Sequence, residues 1–337
     1  MAQVNVTIIG LGKVGASMGL ALKALNKQAG AEHQFTIVGH DGTPSLLDQA
    51  QKIGAVDRTE RNLANSVEKA DLVFIDLPFH QVETALMQIA DSLKAGAVVI
   101  DASPLKMPPI QWAKKHFRRA SSGGAETYLV GVRPLFNPAL VGDHRDDVEA
   151  ASADLFSGGV MVIAPAADCP EEAVQLVADL CAMLGIKAHF ADPAELDGIA
   201  AAMESLPLLL QLALFRGLNK SKSWDDLRWL GNTAFFLGTY QIGQADAEAM
   251  GKLLHQSREP LLRRLDEAMD VMRELREVLE SGDELAIAEA FDEASNAYAK
   301  WDKARHNNDW VQLPDEGISE VAGARPLGKL FSFGKKK

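Results

Sequence analysis

The chain has 337 residues, a hydrophobic content of 47% and a formal net charge of −12 at pH 7. This length is enough to bury a sizeable core and predicts about two domains. The acidic balance excludes a typical nucleic-acid-binding protein, which needs a basic face. Two cysteines are too few for a disulfide framework or a zinc cluster.

A cytoplasmic enzyme is the class that we expect. The first strand begins close to the start of the sequence, so no signal peptide is predicted. The longest apolar stretch, residues 199–215, is interrupted by Glu204 and Pro207 and is expected to be too short to span a membrane. The histidines and cysteines show no ligand spacing, so no metal is expected.

A short strand followed at once by a glycine-rich turn opens the chain. Residues 4–9 are mostly apolar, with the Val and Ile bias of a buried strand, and Gly10, Gly12 and Gly15 form Gly-x-Gly-x-x-Gly before a helix at about 14–25. The first glycine allows a tight turn, the second lets the backbone approach a pyrophosphate, and the third lets the helix pack closely on the strand. The diphosphate of a dinucleotide then lies on the helix N-terminus. The predicted contacts are Gly10, Leu11, Gly12, Lys13, Val14 and Gly15.

A second strand, residues 35–39, leads to Asp41. A carboxylate at this position can accept hydrogen bonds from both ribose hydroxyls and repels a 2′-phosphate. No arginine follows closely, so NAD is favoured over NADP as the cofactor. The alternative is that Asp41 only caps the turn Asp-Gly-Thr-Pro.

Strands and amphipathic helices then alternate to about residue 192. Continuous apolar strands between amphipathic helices indicate an α/β fold with a Rossmann-type, doubly wound parallel sheet. We therefore assign residues 1–192 to an NAD-binding domain. Its further helices are predicted at about 46–53, 63–69, 81–93 and 170–184, and its further strands at 72–76, 97–101, 128–132, 160–163 and 187–191.

Ligands of such sheets bind beyond the carboxyl ends of the strands. Leu77 and Pro78 end one strand and are added to the predicted cofactor contacts. Ser103 follows the next strand and is predicted to contact the substrate or the nicotinamide. Lys106 is expected to be a solvated loop lysine. The segment 132–137 follows a later strand and completes the predicted site.

From Asp192-Pro193-Ala194-Glu195, which is typical of a helix start, the pattern is almost entirely helical to about residue 306. The first helix is apolar on most faces and is expected to be buried, with a kink at Pro207. Two amphipathic helices are predicted at about 259–279 and 284–305. We expect this domain, residues 193–306, to contact substrate and to form a homodimer interface, with a monomeric bundle as the alternative.

The C-terminal tail, residues 307–337, is predicted to be flexible. A solvated end is favoured over contact with a membrane or an acidic partner. Its last fifteen residues carry basic side chains and no acidic ones, at Arg325, Lys329, Lys335, Lys336 and Lys337.

Six segments carry a resemblance to a known family. They read IGLGKVGAS at 9–17, VGHD at 38–41, ADLVFIDLP at 70–78, VVID at 98–101, LFSGG at 155–159 and AELD at 194–197. With these motifs the chain resembles the prephenate and arogenate dehydrogenases of tyrosine biosynthesis, over roughly residues 4–300. The resemblance implies an NAD domain, a helical dimerisation domain and an active site between them. It also implies oxidative decarboxylation, in which a histidine aids the substrate hydroxyl as hydride leaves for NAD and carbon dioxide departs.

The substrate half departs from the family pattern. Arg133-Pro134-Leu135 stands where the family has its histidine before Pro-Met or a similar pair, and the family's Ser-x-Lys becomes Ser103-Pro104-Leu105-Lys106. The family's His-Asp reads Leu196-Asp197, and its Ser-His-Leu-Pro-His reads Glu204-Ser205-Leu206-Pro207-Leu208. The arginine that holds the substrate carboxylate falls near residues 240–243 and is lost. We therefore expect altered substrate recognition.

Arg133 stays protonated and cannot be a base. It is predicted to bind a substrate carboxylate or to stabilise an oxyanion, with a plain salt bridge as the alternative. His80, His144 and His255 are candidates for the missing base, although for each one a surface or capping role is favoured. Asp197 is expected to pair with a neighbouring donor if it is buried.

Two functions follow from the sequence. The first is an NAD-dependent oxidoreductase similar to the prephenate and arogenate dehydrogenases, acting on a small carboxylate. The second is a catalytically silent NAD-binding sensor or partner protein. A cleft that gathers Arg133, Ser103, a histidine and Asp197 favours the enzyme, whereas a cleft filled by aromatic rings favours the silent protein. The rings in question belong to Phe136, Phe235 and Phe236.

Overall fold

The computed structural model describes residues 2–28, 30, 32–117, 127–140, 145, 147–244 and 246–307. Within these residues the strands are β1 (Ala2–Ile9), β2 (His33–His40), β3 (Arg58–Thr59), β4 (Leu72–Ile75), β5 (Val98–Asp101), β6 (Tyr128–Leu135), β7 (Val160–Pro165) and β8 (Lys187–Phe190). They form one sheet in the order β3-β2-β1-β4-β5-β6-β7-β8. The first six positions of this order are those of the doubly wound dinucleotide fold.

Six α-helices of the described chain connect these strands: α1 (Lys13–Leu25), α2 (Pro44–Lys52), α3 (Leu63–Val67), α4 (Phe79–Ile89), α5 (Met107–His116) and α6 (Glu171–Met183). The α/β class and most element positions predicted from the sequence are confirmed. The short β3 and α5 were not predicted. In α5 the residues after Met107 are Pro108 and Pro109, which the first turn of a helix tolerates because its N–H groups have no intrahelical partner.

The prediction of a parallel sheet is wrong at one strand pair. β7 runs antiparallel to β6, whereas the other pairs of the described sheet are parallel. Between β6 and β7 the described residues form only two short 3₁₀ turns, Pro138–Leu140 and Val148–Ala150. A parallel return usually crosses the sheet through an α-helix, and the described residues of this connection form none, in keeping with the antiparallel return.

The core lies on both faces of the sheet. In β4, Leu72 and Phe74 pack into one apolar cluster, and Val73 and Ile75 pack into the other. This alternation explains why the strands read as continuous apolar runs, since both faces of a covered parallel sheet are buried.

All described elements after β8 are helical, and they are α7 (Pro193–Ala200), α8 (Leu206–Asn219), α9 (Trp224–Leu227), α10 (Thr233–Gln244), α11 (Ala247–Gln256), α12 (Arg258–Ser281) and α13 (Glu284–His306), with a 3₁₀ turn at Arg228–Leu230. Asp192 caps α7, as its sequence predicts, by accepting hydrogen bonds from the backbone N–H groups of Ala194 and Glu195 at 2.8 and 3.1 Å. The basic C-terminal tail lies outside the described residues from residue 308 onward.

The apolar helix that follows the sheet is continuous, and only its first part is buried. α7 and α8 are joined by a π-helical turn, Ala201–Ser205, and Pro207 lies in the first turn of α8. The expected burial holds for α7 and the π-helical turn, which contain buried residues, and is wrong for α8, which contains none in this single chain. The expected limit on length is also wrong, since the helix Pro193–Asn219 is long and apolar enough to cross a membrane by length and composition.

Candidate active site

The strand register gathers the predicted site residues at one edge of the sheet. Ile9 pairs with His40 and Ile75, Ile75 pairs with Asp101, and Asp101 pairs with Gly131. The segments that follow these residues therefore leave the sheet side by side at the carboxyl ends of parallel strands. They contain the glycine turn, Asp41, Leu77, Pro78 and Ser103, whereas Arg133 lies in the last part of β6, where it pairs with Val162 of β7.

The glycine turn fits tightly against the end of β4. Gly10 has a φ of +94°, and a Cβ atom added to it would lie 1.9 Å from the carbonyl oxygen of Asp76. A Cβ atom on Gly15 would lie 1.9 Å from the carbonyl oxygen of Gly10. Gly12 is the N-cap of α1, and no side chain caps this helix among the described residues. The turn therefore presents helix N–H groups of the kind that bind a diphosphate.

Asp41 links the end of β2 to this turn. Its Oδ2 accepts a hydrogen bond from the Leu11 N–H at 2.9 Å, and its Oδ1 accepts one from the Thr43 N–H at 2.7 Å. The carboxylate therefore does cap its own turn, as the alternative interpretation proposed. It also lies beside the glycine turn, where the ribose interpretation requires it.

Of the candidate histidines, His80 and His255 are described, and neither joins the polar cluster at the ends of β5 and β6. His80 is the second residue of α4, whose N-cap is Pro78, and its Nδ1 is buried without a hydrogen-bond partner in the described structure. His255 lies on the exposed side of α11. His144 lies outside the described residues.

Lys106 is the centre of that cluster. The expectation of a solvated lysine is wrong, because its side chain is 0% exposed. Its Nζ donates hydrogen bonds to the carbonyl oxygens of Ser103 and Asp101, the latter at 3.2 Å, and lies 3.7 Å from Oδ2 of Asp101. The lysine stem crosses Gly131, where an added Cβ atom would lie 2.7 Å from the Lys106 Cδ. Because Gly131 has no side chain, β6 leaves room for the stem of Lys106.

The side chains of Ser103 and Asp197 both make hydrogen bonds within this cluster. The Ser103 hydroxyl, in a residue 3% exposed, donates to Oδ2 of Asp101 at 2.7 Å and lies 3.2 Å from the Leu105 carbonyl oxygen. Asp197 accepts hydrogen bonds from the backbone N–H groups of Lys106 and Met107, the second at 3.0 Å. Asp197 therefore pairs with neighbouring donors, as expected, and ties α7 to the start of α5.

Arg133 and Glu204 form an ion pair at the more open side of the cluster. Nη2 of Arg133 contacts Oε1 of Glu204, and the two side chains are 30% and 32% exposed. Glu204 lies on the π-helical turn Ala201–Ser205, and such turns occur frequently at functional sites. Nothing in the sequence pointed to Glu204 as the partner of Arg133 beyond its place in the Glu-Ser-Leu-Pro-Leu segment.

Burial shifts the pKa values of the ionisable side chains in this cluster in the direction that favours their neutral forms. It lowers the pKa of Lys106 to about 8, although the neighbouring Asp101 carboxylate opposes the shift. It raises the pKa of Asp101 against the effect of Lys106, and it raises the pKa of Asp197 against that of its backbone donors. Burial also raises the pKa of Glu204, while Arg133 opposes the rise. Glu204 is therefore a titratable residue of this cluster that remains partly exposed.

The three phenylalanines pack elsewhere. Phe136 lies against Phe156 with 5.9 Å between ring centroids, and Phe235 lies 6.3 Å from Phe215 by the same measure. Phe236 is 57% exposed beside Tyr240. Of the two arrangements that the sequence left open, the polar one is present, although without a histidine among its described contacts.

Comparisons with known proteins agree with this architecture. Residues 23–190 match the family model for the nucleotide-binding domain of prephenate dehydrogenase. The curated cyclohexadienyl dehydrogenase of Zymomonas mobilis is 21% identical over 296 residues, which cover 87% of this chain and 94% of the relative.

Two solved structures show the same fold. Prephenate dehydrogenase from A. aeolicus, in complex with hydroxyphenyl propionate and NAD+, is similar with a TM-score of 0.73 and 19% identity, and the match covers 89% of this chain and 99% of that one. Synechocystis arogenate dehydrogenase is similar with a TM-score of 0.65 and 19% identity, over 88% and 100% of the two chains. The predicted fold class, a doubly wound sheet followed by a helical region, is confirmed.

Replacing the buried lysine tests the cluster. Lys106→Met should lower the free energy of unfolding by about 3–5 kcal/mol, because it leaves the Asp101 carboxylate buried without its cation. The pKa of Lys106 is lower in the folded than in the unfolded chain. The unfolded chain therefore binds more protons between about pH 8 and 10.5, and this group adds stability as the pH rises.

The difference in stability between wild type and Lys106→Met should therefore widen from pH 8 to pH 10, as measured by urea unfolding. Lys114→Met, which removes an exposed lysine 2.9 Å from Asp168, is the matched control and should cost less than about 1 kcal/mol. A Lys106→Met protein as stable as the control would contradict this description of the cluster.

Proposed function

Because the chain belongs to the prephenate and arogenate dehydrogenase family, we propose that it oxidises a small hydroxylated carboxylate of the prephenate or arogenate kind. The enzyme class is that of an NAD-dependent oxidoreductase, as the sequence predicted. The silent NAD-binding protein is not favoured. The identity of this carboxylate is the more specific part of the proposal.

One observation supports the proposal: in the strand register, the glycine turn and the partly exposed ion pair of Arg133 and Glu204 lie at the same edge of the sheet. Ligands of doubly wound sheets bind at this edge, where the strand order reverses between β1 and β4. We expect the nicotinamide of a dinucleotide bound at this edge to lie near Arg133 and Glu204.

The glycine turn fits a dinucleotide, since at Gly10 and Gly15 an added Cβ atom would collide with the backbone. We assign the diphosphate to the turn, the adenosine ribose to Asp41, and the flank of the nicotinamide half to Leu77 and Pro78. NAD supplies a hydride acceptor when it is bound. The diphosphate contacts are assigned to Gly10, Leu11, Gly12, Lys13, Val14 and Gly15.

Arg133 and Ser103 are assigned to the substrate side. The Arg133 guanidinium can hold a substrate carboxylate or a developing oxyanion through paired N–H donors. The buried Ser103 hydroxyl is bonded to Asp101, so it acts on substrate by shaping the segment after β5. Departure from the family pattern at Arg133 supports recognition that differs from that of the family.

The exposed apolar helices support a homodimer. α8, α10 and α13 contain no buried residue in the described chain, and contiguous apolar surface of this kind marks interaction sites. Most soluble homo-oligomers are symmetric dimers, so a second copy is the partner that we propose. Large exposed side chains on these and neighbouring helices include Leu210, Leu214, Trp229, Leu230, Phe236, Leu237, Phe291 and Tyr298.

We assign the apolar surface to a second subunit and not to a membrane. The first half of the helix Pro193–Asn219 contacts the sheet domain through Asp197 and Glu204, both bonded to residues that follow its strands. A helix fixed in this way cannot lie in a bilayer along its whole length. We accordingly propose a cytoplasmic enzyme that binds neither membrane nor nucleic acid.

The proposed reaction is tested by NADH formation from NAD with prephenate and, separately, with arogenate. We expect turnover with one of them, and Arg133→Met should lower kcat/KM by roughly 10- to 100-fold because a charge-assisted contact is lost. Arg276→Met removes an exposed arginine that pairs with Glu280 on α12 and should change nothing. Absence of turnover in protein that binds NADH would contradict the substrate class.

The assignment of Asp41 predicts a change of cofactor preference. Asp41→Asn removes the negative charge that repels a 2′-phosphate, so the preference for NADH over NADPH should fall by roughly tenfold or more. Fluorescence titration with both cofactors measures this ratio. Asp48→Asn, at an exposed position of α2, is the control. An unchanged ratio would show that Asp41 only caps its turn.

The homodimer is tested by sedimentation velocity. The wild-type protein should sediment at twice the monomer mass, and the double variant Phe236→Asp with Leu237→Asp should shift towards monomer because it places charge in an apolar interface. Met87→Asp changes a side chain of similar exposure (52%) on the sheet domain and should leave the dimer intact. A monomeric wild-type protein would contradict the proposal.

A further inference from the structure

Oxidation of a hydroxyl-bearing carbon requires a group that takes the hydroxyl proton. Hydride leaves the carbon, and a base within hydrogen-bond reach must accept the proton from oxygen as the carbonyl forms. Arg133 cannot do this because its guanidinium stays protonated. The candidate histidines make no described contact with the pair that it forms with Glu204.

The reacting carbon must lie near the ends of β5 and β6. A dinucleotide spans the point where the strand order reverses, so an adenosine half beside Asp41 leaves the nicotinamide half beyond β4, β5 and β6. Asp101 and Gly131 are paired in the register. Ser103 and Arg133 each come two residues later: Ser103 follows the end of β5, and Arg133 lies in the last part of β6, where it pairs with Val162 of β7.

Of the carboxylates in the cluster around Lys106 and Arg133, those of Asp101 and Asp197 are already engaged in hydrogen bonds. Asp101 is 0% exposed and accepts the Ser103 hydroxyl, with Lys106 beside it. Asp197 uses both of its oxygens to accept backbone N–H groups. Glu204 differs, because it is partly exposed and its described hydrogen bond, from Arg133, uses only Oε1.

We propose that Glu204 is the catalytic base and that Arg133 positions its carboxylate against the substrate hydroxyl. This inference rests on the proposed function and adds to it the residue that moves the proton. The π-helical turn Ala201–Ser205 brings Glu204 out of the regular helix to Arg133, at the end of β6. The second carboxylate oxygen, Oε2, has no described hydrogen bond, and we assign it as the atom that accepts the proton.

The step is balanced without any further reactant. The substrate O–H bond breaks, its proton goes to Oε2 of Glu204, the C–H bond electrons leave as hydride to NAD, and the C=O bond forms. If the ring then loses carbon dioxide, the C–C bond electrons enter the ring, and the carbonyl oxygen takes the proton back from Glu204 as the phenol forms. The carboxylate is thereby regenerated.

The environment suits a group that takes up and returns one proton. Burial raises the pKa of the Glu204 carboxyl, and Arg133 keeps the rise in check. A base is most effective when its pKa lies near the working pH. Burial favours the protonated form of Glu204, and Arg133 favours the ionised form, so the proposed cycle uses the two forms that these neighbours stabilise.

The first test uses binding and not turnover. The probes are 3-(4-hydroxyphenyl)propionate and 3-phenylpropionate, which lacks the hydroxyl, titrated by calorimetry into protein saturated with NADH. The wild type should bind the hydroxylated probe roughly tenfold more tightly, because a hydroxyl donates to a charged acceptor. This preference should be lost in Glu204→Ala and kept in Glu195→Ala, which removes an exposed glutamate from the same helix.

The second test uses the kinetics of whichever substrate the wild type oxidises. Glu204→Gln should lower kcat by roughly 10²- to 10⁴-fold and remove the acid limb of the pH profile, whereas Glu204→Asp should retain that limb. NADH affinity should be unchanged in both variants, which shows that they are folded. An unaltered pH profile in Glu204→Gln would overturn the assignment.

The two proposals fail in different ways. No turnover by a wild type that still shows the Glu204-dependent hydroxyl preference would reject the proposed substrates and keep the assignment of Glu204. Equal binding of the two probes, binding of neither, or a preference that survives in Glu204→Ala would overturn the assignment of Glu204. The latter results leave the NAD-dependent enzyme class untouched.

Discussion

The hydrogen bonds around the buried Lys106 hold together three parts of the chain on which the site depends. The ammonium group binds the end of β5 through Asp101 and Ser103, and the backbone N–H of the same residue binds Asp197 on α7. Because α7 continues into the π-helical turn, this contact also fixes where Glu204 lies. A buried charge requires its partners, so the arrangement cannot loosen at one point without cost at the others.

The two ion pairs of the site have different roles. Lys106 and Asp101 are inaccessible and serve the structure, whereas Arg133 and Glu204 are reachable and serve the chemistry that we propose. The nucleotide is assigned to a part of the sheet edge where contacts come mainly from the backbone and from Asp41. The cofactor half can therefore follow the pattern of the family while the substrate half departs from it.

What the sequence predicted well was local. β1 and its turn are specified by Gly10 and Gly15, whose backbone contacts leave no room for a side chain, and the two-sided core makes β4 a continuous apolar run. Long-range features could not be predicted. The burial of Lys106 depends on the space above Gly131, and the pairing of Arg133 with Glu204 joins residues 71 positions apart. The exposure of α8 is a property of the single chain, which a hydropathy pattern cannot distinguish from burial against a second copy.

A crystal structure of the protein with NADH and 3-(4-hydroxyphenyl)propionate bound together would test the central claim, that both halves of the reaction meet at one edge of the sheet. We expect the diphosphate at the glycine turn, the nicotinamide beyond β4 and β5, and the phenol oxygen within hydrogen-bond distance of Glu204 and Arg133. A probe whose hydroxyl lies away from Glu204, with a histidine in its place, would contradict it.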